Sequence, residues 1–154
     1  TVTPWAMALL HGKLYAVGGV SVGEILSSVE RYDPALDAWE AVAPMAATAR
    51  AHLAVAVLDG KLYAAGGNDA LESFTSVERY DPALDVWEVV APMAEARYKL
   101  AVAVLDGKLY AVGGYNDDVD CLSSVEQYDP AANTWEAVAP LATARGSYPV
   151  AVLM

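Results

Sequence analysis

Three arginines recur at a nearly fixed interval. Arg50, Arg97 and Arg145 are separated by 97 − 50 = 47 and 145 − 97 = 48 residues. A guanidinium is permanently charged and presents a planar fork of N–H donors, so it grips carboxylates and carbonyl oxygens. Tyr98 and Tyr148 lie close by in the chain, and Tyr115 follows a glycine pair, Gly113-Gly114. Tyrosine joins an apolar ring to a polar tip, which suits contact surfaces. This is the chemistry of recognition. Two roles are open for the arginines: meeting an acidic partner, or capping carbonyls and pairing with Asp or Glu inside the protein.

Catalytic chemistry finds few residues to use. There are two histidines, His11 in a turn and His52 at the start of a strand. The one cysteine, Cys121, gives no zinc spacing and no internal disulfide. No Gly-x-Ser-x-Gly elbow occurs. The glycines around residues 18–23 follow a strand, but precede no helix and lack the Lys-Ser/Thr of a phosphate loop. Asp117, Asp118 and Asp120 form an acidic loop that reads as a solvated charge cluster. The expectation is a chain without catalysis, metal or cofactor.

The elements that hold these residues must come from 154 residues, a length that fits one ordinary domain. Hydrophobic residues make up 56% and charged residues 19%, which excludes disorder. The net charge of −11 opposes binding to phosphate backbones and anionic lipid, so neither nucleic acid nor membrane is expected as a partner. The longest apolar runs, such as residues 53–58, are too short to cross a bilayer. A lone cysteine fits a reducing, cytoplasmic setting.

Repeats supply the architecture. Gly12-Lys13-Leu14-Tyr15 returns from Gly60 and from Gly107, at offsets of 60 − 12 = 48 and 107 − 60 = 47. Ser28-Val29-Glu30 returns from Ser76 and Ser124. Trp39, Trp87 and Trp135 follow, and then Ala-Pro pairs. Each unit reads as four short strands, A to D. In the middle unit these are residues 53–58, 61–65, 76–80 and 86–90. Asp59-Gly60 makes a tight hairpin, and Asp81-Pro82 stops strand C because proline has no N–H to donate. Apolar strands of this kind are covered on both faces. A four-stranded antiparallel unit repeated at this period is a propeller blade, and the fold is therefore expected to be all-β.

The glycine pairs, Tyr32, Tyr80 and Tyr128, and then Trp39, Trp87 and Trp135, resemble the kelch repeat. The phrases Val-Glu-Arg-Tyr-Asp-Pro and Val-Ala-Pro-Met are most similar to Kelch-like ubiquitin-ligase adaptors. The units fall at residues 2–49, 50–96 and 97–144, and residues 145–154 match strand A of a fourth. Alternating strand direction puts the B–C and D–A loops on one face. The resemblance implies that this face receives a protein or peptide, with Arg50, Arg97, Arg145 and Tyr115 at contact positions. Tyr98 and Tyr148 are candidates beside them.

Three blades make half of a six-bladed ring. An open arc leaves apolar blade faces bare, and a two-fold axis would close two copies into a ring. The expectation is thus a homodimeric six-bladed kelch β-propeller with one surplus terminal strand per chain. Its function would be non-enzymatic protein or peptide binding. The alternative is an engineered or fragment-derived self-assembling scaffold with no native ligand.

Overall fold

A computed structural model describes residues 5–146. Fourteen strands and no helix occur in this range. The first blade holds β1 (Ala6–Leu10), β2 (Lys13–Val17), β5 (Val29–Asp33) and β6 (Ala38–Val42), paired in that order. Between β2 and β5 sits a two-strand hairpin, β3 (Val20–Ser21) with β4 (Glu24–Ile25). The second blade is β7 (Ala54–Leu58), β8 (Lys61–Ala65), β9 (Val77–Asp81) and β10 (Val86–Val90). The third is β11 (Ala101–Leu105), β12 (Lys108–Val112), β13 (Val125–Asp129) and β14 (Thr134–Val138). All neighbouring strands within the blades run antiparallel.

The expected strands appear within a residue of their predicted bounds. The β3–β4 hairpin is a difference, because residues 20–27 read as a plain loop. Two-residue strands leave no periodicity to detect, and their turn is made by Val22 and Gly23, both at positive φ. The fourth-unit strand expected at 150–153, and Tyr148, lie outside the described residues.

Turn chemistry sets the register. His11-Gly12, Asp59-Gly60 and Asp106-Gly107 all adopt positive φ at both positions, the twist that suits a two-residue hairpin. After strand C, the Asp81 carboxylate accepts the N–H groups of Ala83 and Leu84 and so shapes the Pro82 turn.

The core lies between blades rather than within one. The trailing face of blade 1, with Leu10, Tyr15, Val17 and Met45, packs on the leading face of blade 2, with Leu53, Leu62, Tyr80 and Trp87. The same arrangement joins blade 2 to blade 3 through Leu58, Tyr63, Val77 and Met93 against Leu100, Leu109, Tyr128 and Trp135. Tyrosine rings meet across each joint, Tyr15 with Tyr80 at 5.8 Å and Tyr63 with Tyr128 at 5.7 Å. Blade 2, covered on both sides, buries β8 from Leu62 to Ala65, as its unbroken apolar run requires.

Candidate functional site

The D–A and B–C loops do share one face, and backbone hydrogen bonds tie them together. Met45 N–H donates to Ser27 O at 2.9 Å and Arg50 N–H to Leu26 O at 3.1 Å. Met93 with Thr75, Arg97 with Phe74, Leu141 with Ser123 and Arg145 with Leu122 repeat the pattern. The arginine carbonyls then accept from the second glycine of each pair: Gly19 to Arg50, Gly67 to Arg97 and Gly114 to Arg145, at 2.7–2.9 Å.

The approach is close enough to demand glycine. A Cβ at Gly66 would stand 2.3 Å from Arg97 O, and one at Gly113 would stand 2.3 Å from Arg145 O. Both positions also have positive φ, where a side chain is strained.

The arginine side chains reach forward into the next blade. Arg50 Nη1 donates to Gly66 O and Ser76 O, each at 2.9 Å, and Nη2 to Ser76 Oγ at 2.8 Å and Glu78 Oε2 at 3.1 Å. Arg97 repeats this on Gly113 O, Ser124 O, Ser124 Oγ and Glu126 Oε2 at 2.9–3.0 Å. The carboxylates also cap loop N–H groups: Ala46 and Ala47 donate to Glu78, and Ala94 and Glu95 to Glu126. Burial pulls the Arg50 guanidinium below its ordinary pKa, against the opposing attraction of Glu78.

This corrects the expectation that Arg50 and Arg97 contact a ligand. Both are 0% exposed, and their Nη donors are spent on carbonyls, a serine and a glutamate inside the joint. The capping and pairing role is the one they fill. Arg145 differs: its backbone is seated like the others, yet its side chain is exposed at the open end of blade 3.

Tyr98 and Tyr115 are brought together. Their backbones exchange two hydrogen bonds of 2.9 Å, and their rings lie 5.7 Å apart. Lys99 Nζ stands 6.0 Å from the Tyr115 ring, and Tyr115 Oη donates to Gly146 O at 3.0 Å. His52 lies 6.4 Å from the Tyr98 ring and bonds Asn68 Oδ1 through Nδ1 at 2.9 Å. His52 and Lys99 both hold positive φ, a region that few non-glycine residues adopt.

Around this cluster the loops are acidic. Glu24, Glu72, Asp117, Asp118 and Asp120 are exposed, and Asp69 is partly so. Asp69 is held below the usual carboxylate range by the N–H groups of Leu71 and Glu72. Asp117 accepts from both N–H and Oγ of Ser73 at 2.8 Å, which links the second and third B–C loops. Among the described residues no group of three or more His, Cys, Asp or Glu side chains gathers to hold a metal.

Three copies of one model, the Kelch motif, match residues 6–46, 49–94 and 96–142. The chain belongs to the kelch family. The kelch chain is 45% identical over 38 residues to an F-box/kelch-repeat protein of Arabidopsis thaliana, a stretch that covers 25% of this chain and 9% of that one. It superposes on the solved structure of YjhT, a kelch-type propeller, with a TM-score of 0.78 at 18% identity. The superposition covers 92% of this chain and 52% of YjhT, so the chain spans about half of that propeller's length.

Sequence reading missed the acceptors of the kelch arginines. Ser76, Glu78, Ser124 and Glu126 belong to the repeated Ser-Val-Glu block, so their recurrence was visible. Their partnership was not, because each lies 26 to 29 residues beyond its arginine. His52 and Lys99 were also missed as neighbours of the tyrosines. The signal for them was their common place, two residues beyond an arginine.

Proposed function

We propose that this kelch chain is a non-enzymatic protein- or peptide-binding module whose recognition surface is the B–C/D–A loop face. The observation that carries this reading is the cluster of Tyr98, Tyr115 and Lys99, two partly exposed rings beside an ammonium on a rigid scaffold. Binding residues concentrate on loops held by such scaffolds. The aromatic faces supply contact area, Lys99 an anchor for a carboxylate, and the acidic rim an attraction for basic flanks. A peptide with one acidic anchor and basic flanks should bind better than a polyacidic one. The lone thiol of Cys121 suits a reducing cytoplasm.

Titration of a diverse peptide panel against the wild type and a Tyr98→Ala/Tyr115→Ala variant tests the reading, with folding of the variant checked by circular dichroism. Selective loss of binding in the variant is the expected result. Equal binding to both proteins would move the surface elsewhere.

A second reading is supported by the bare ends of the arc. Trp39 on the leading face of blade 1 is 48% exposed, whereas Trp87 at the same place in blade 2 is 5% exposed. Leu105 on the trailing face of blade 3 is 58% exposed, against 3% for Leu10 and 4% for Leu58. In this reading two copies complete a six-bladed ring, and the chain is a self-assembling scaffold that needs no other ligand. The mass in solution tests it: twice 16.2 kDa is expected. A panel in which no peptide binds the wild type would favour the scaffold over the binding module.

A further inference from the structure

Both internal joints of the arc obey one rule. An arginine leaves the end of one blade and lands on a glycine carbonyl, a serine and a glutamate of the next. The following tryptophan donates its indole N–H backward to an Ala-Pro carbonyl, Trp87 to Ala43 O at 2.9 Å and Trp135 to Ala91 O at 2.8 Å. The same Ala N–H returns a bond to the C–D turn, Ala43 to Asp85 and Ala91 to Asn133.

The chain also carries each half of this joint once more, unfilled. On blade 1, Gly18, Ser28 and Glu30 repeat the acceptor set, and Glu30 is exposed while Glu78 and Glu126 are buried. They line an open groove of about 500 Å³ together with Trp5, Met7 and Trp39. On blade 3, the Arg145 carbonyl already accepts from Gly114 at 2.8 Å, as Arg50 and Arg97 do in their places. Its side chain is exposed and makes no hydrogen bond or ion pair among the described residues.

We infer that Arg145 of one copy seats on Gly18, Ser28 and Glu30 of a second copy, and that this joint closes the ring. The inference rests on the self-assembly reading and gives it a specific contact. By the internal rule, Trp39 then donates to Ala139 O of the other copy, and Tyr32 meets Tyr110 as Tyr80 meets Tyr15. The contact is heterologous, end to start, so one closed pair needs it twice about a two-fold axis. The chemistry favours a second copy over an unrelated partner because donor and acceptor halves are both present on this chain. Each half has the residue types that already fit each other at two joints. Glu30 standing bare in the groove also selects for a cation.

The test is light scattering across a dilution series, with circular dichroism of each variant. The wild type should run at twice 16.2 kDa. Glu30→Gln and Arg145→Ala, both at exposed positions, should keep their spectra and weaken association by at least about a hundredfold, because each removes one partner of two buried pairs per ring. Arg145→Lys should fall between them and the wild type, since an ammonium keeps the charge and loses the fork. A wild type that dimerises while all three variants associate equally well would overturn this joint and leave another dimer geometry standing. A wild type that stays monomeric at micromolar concentration would overturn the joint and the self-assembly reading together. Species larger than a dimer that respond to the same variants would support the joint and overturn two-fold closure.

Discussion

Arg50 and Glu78 form a buried ion pair across a blade boundary, with 3.1 Å between Nη2 and Oε2 and both side chains closed to solvent. Taking two charges out of water is costly, and the attraction between them does not by itself repay the cost. The remaining donors and acceptors matter as much as the charges. Arg50 also satisfies two carbonyls and a hydroxyl, while Glu78 satisfies two loop N–H groups. One pair thereby fixes a loop, a glycine corner and a strand start.

Removing one member should therefore cost more than the pair is worth. Arg97→Ala leaves Glu126 buried without a cation and should lower stability by about 3–5 kcal/mol. Glu126→Gln should also be costly: the amide oxygen can still accept from Ala94 N–H, but the NH2 then faces the Glu95 and Arg97 donors, and Arg97 is left buried without its anion. Urea unfolding measures both variants, and a loss below about 1 kcal/mol for either would exclude the pair as a tie between blades.

Trp87→Ala should cost about 3–5 kcal/mol, as expected for a large side chain deleted from a filled core. The indole is nearly closed to solvent, packs on Tyr80 at 5.2 Å and donates to Ala43 O. Trp39→Ala, at the half-exposed equivalent, should cost clearly less in a dilute sample. Chemical denaturation separates the two, and a loss below about 1 kcal/mol at Trp87 would exclude it as a packing anchor.

The glycine corners divide strain from collision. Gly107→Ala meets nothing within 4 Å, so it incurs only the cost of positive φ, about 1–2 kcal/mol. Gly66→Ala adds a Cβ 2.3 Å from Arg97 O and should be distinctly worse. Equal melting temperatures for the two variants would refute the close approach.

Acid should loosen the boundary between blades 1 and 2 through Asp85. The Ala43 N–H and then the Tyr80 hydroxyl, both donating to it, hold this carboxyl below its usual pKa of 3.8. A carboxylate with a lowered folded pKa adds stability that is complete above the unfolded value. That stability is lost as the pH falls through the folded value. Asn133 holds the same place in blade 3 and accepts from Ala91 and Tyr128 without a charge. Asp85→Asn should thus keep stability near neutrality and flatten its decline below about pH 4. An acid-unfolding profile unchanged from the wild type would exclude Asp85 as a contributor.

The strands were legible because their punctuation is chemical. Asp-Gly demands positive φ, Asp-Pro ends a ladder, and the glycine pairs recur at one period. The fate of the arginines was not legible. Recurrence shows that Arg50 and Arg97 do the same thing, but only the fold shows that their side chains point into the following blade and away from solvent. The meeting of Tyr98 with Tyr115 depends on a backbone bridge between two loops, which no local pattern announces. Trp39 and Trp87 are the same residue in nearly the same sequence. Their different burial comes from place in the array, with Trp87 facing blade 1 and Trp39 facing an open groove.

Arg50 and Arg97 each belong to two sheets at once, the main chain fastened to the blade behind and the guanidinium to the blade ahead. The period that is copied in sequence and the sheet that forms in space are therefore out of phase. A tandem duplication one period long, wherever its breakpoints fall, regenerates a donor followed by its acceptors and leaves no tie half-made within the array. Such a chain can gain or lose blades by recombination without any new contact having to be invented. The number of blades in a lineage is then limited by the curvature at which a ring shuts, rather than by the supply of compatible neighbours.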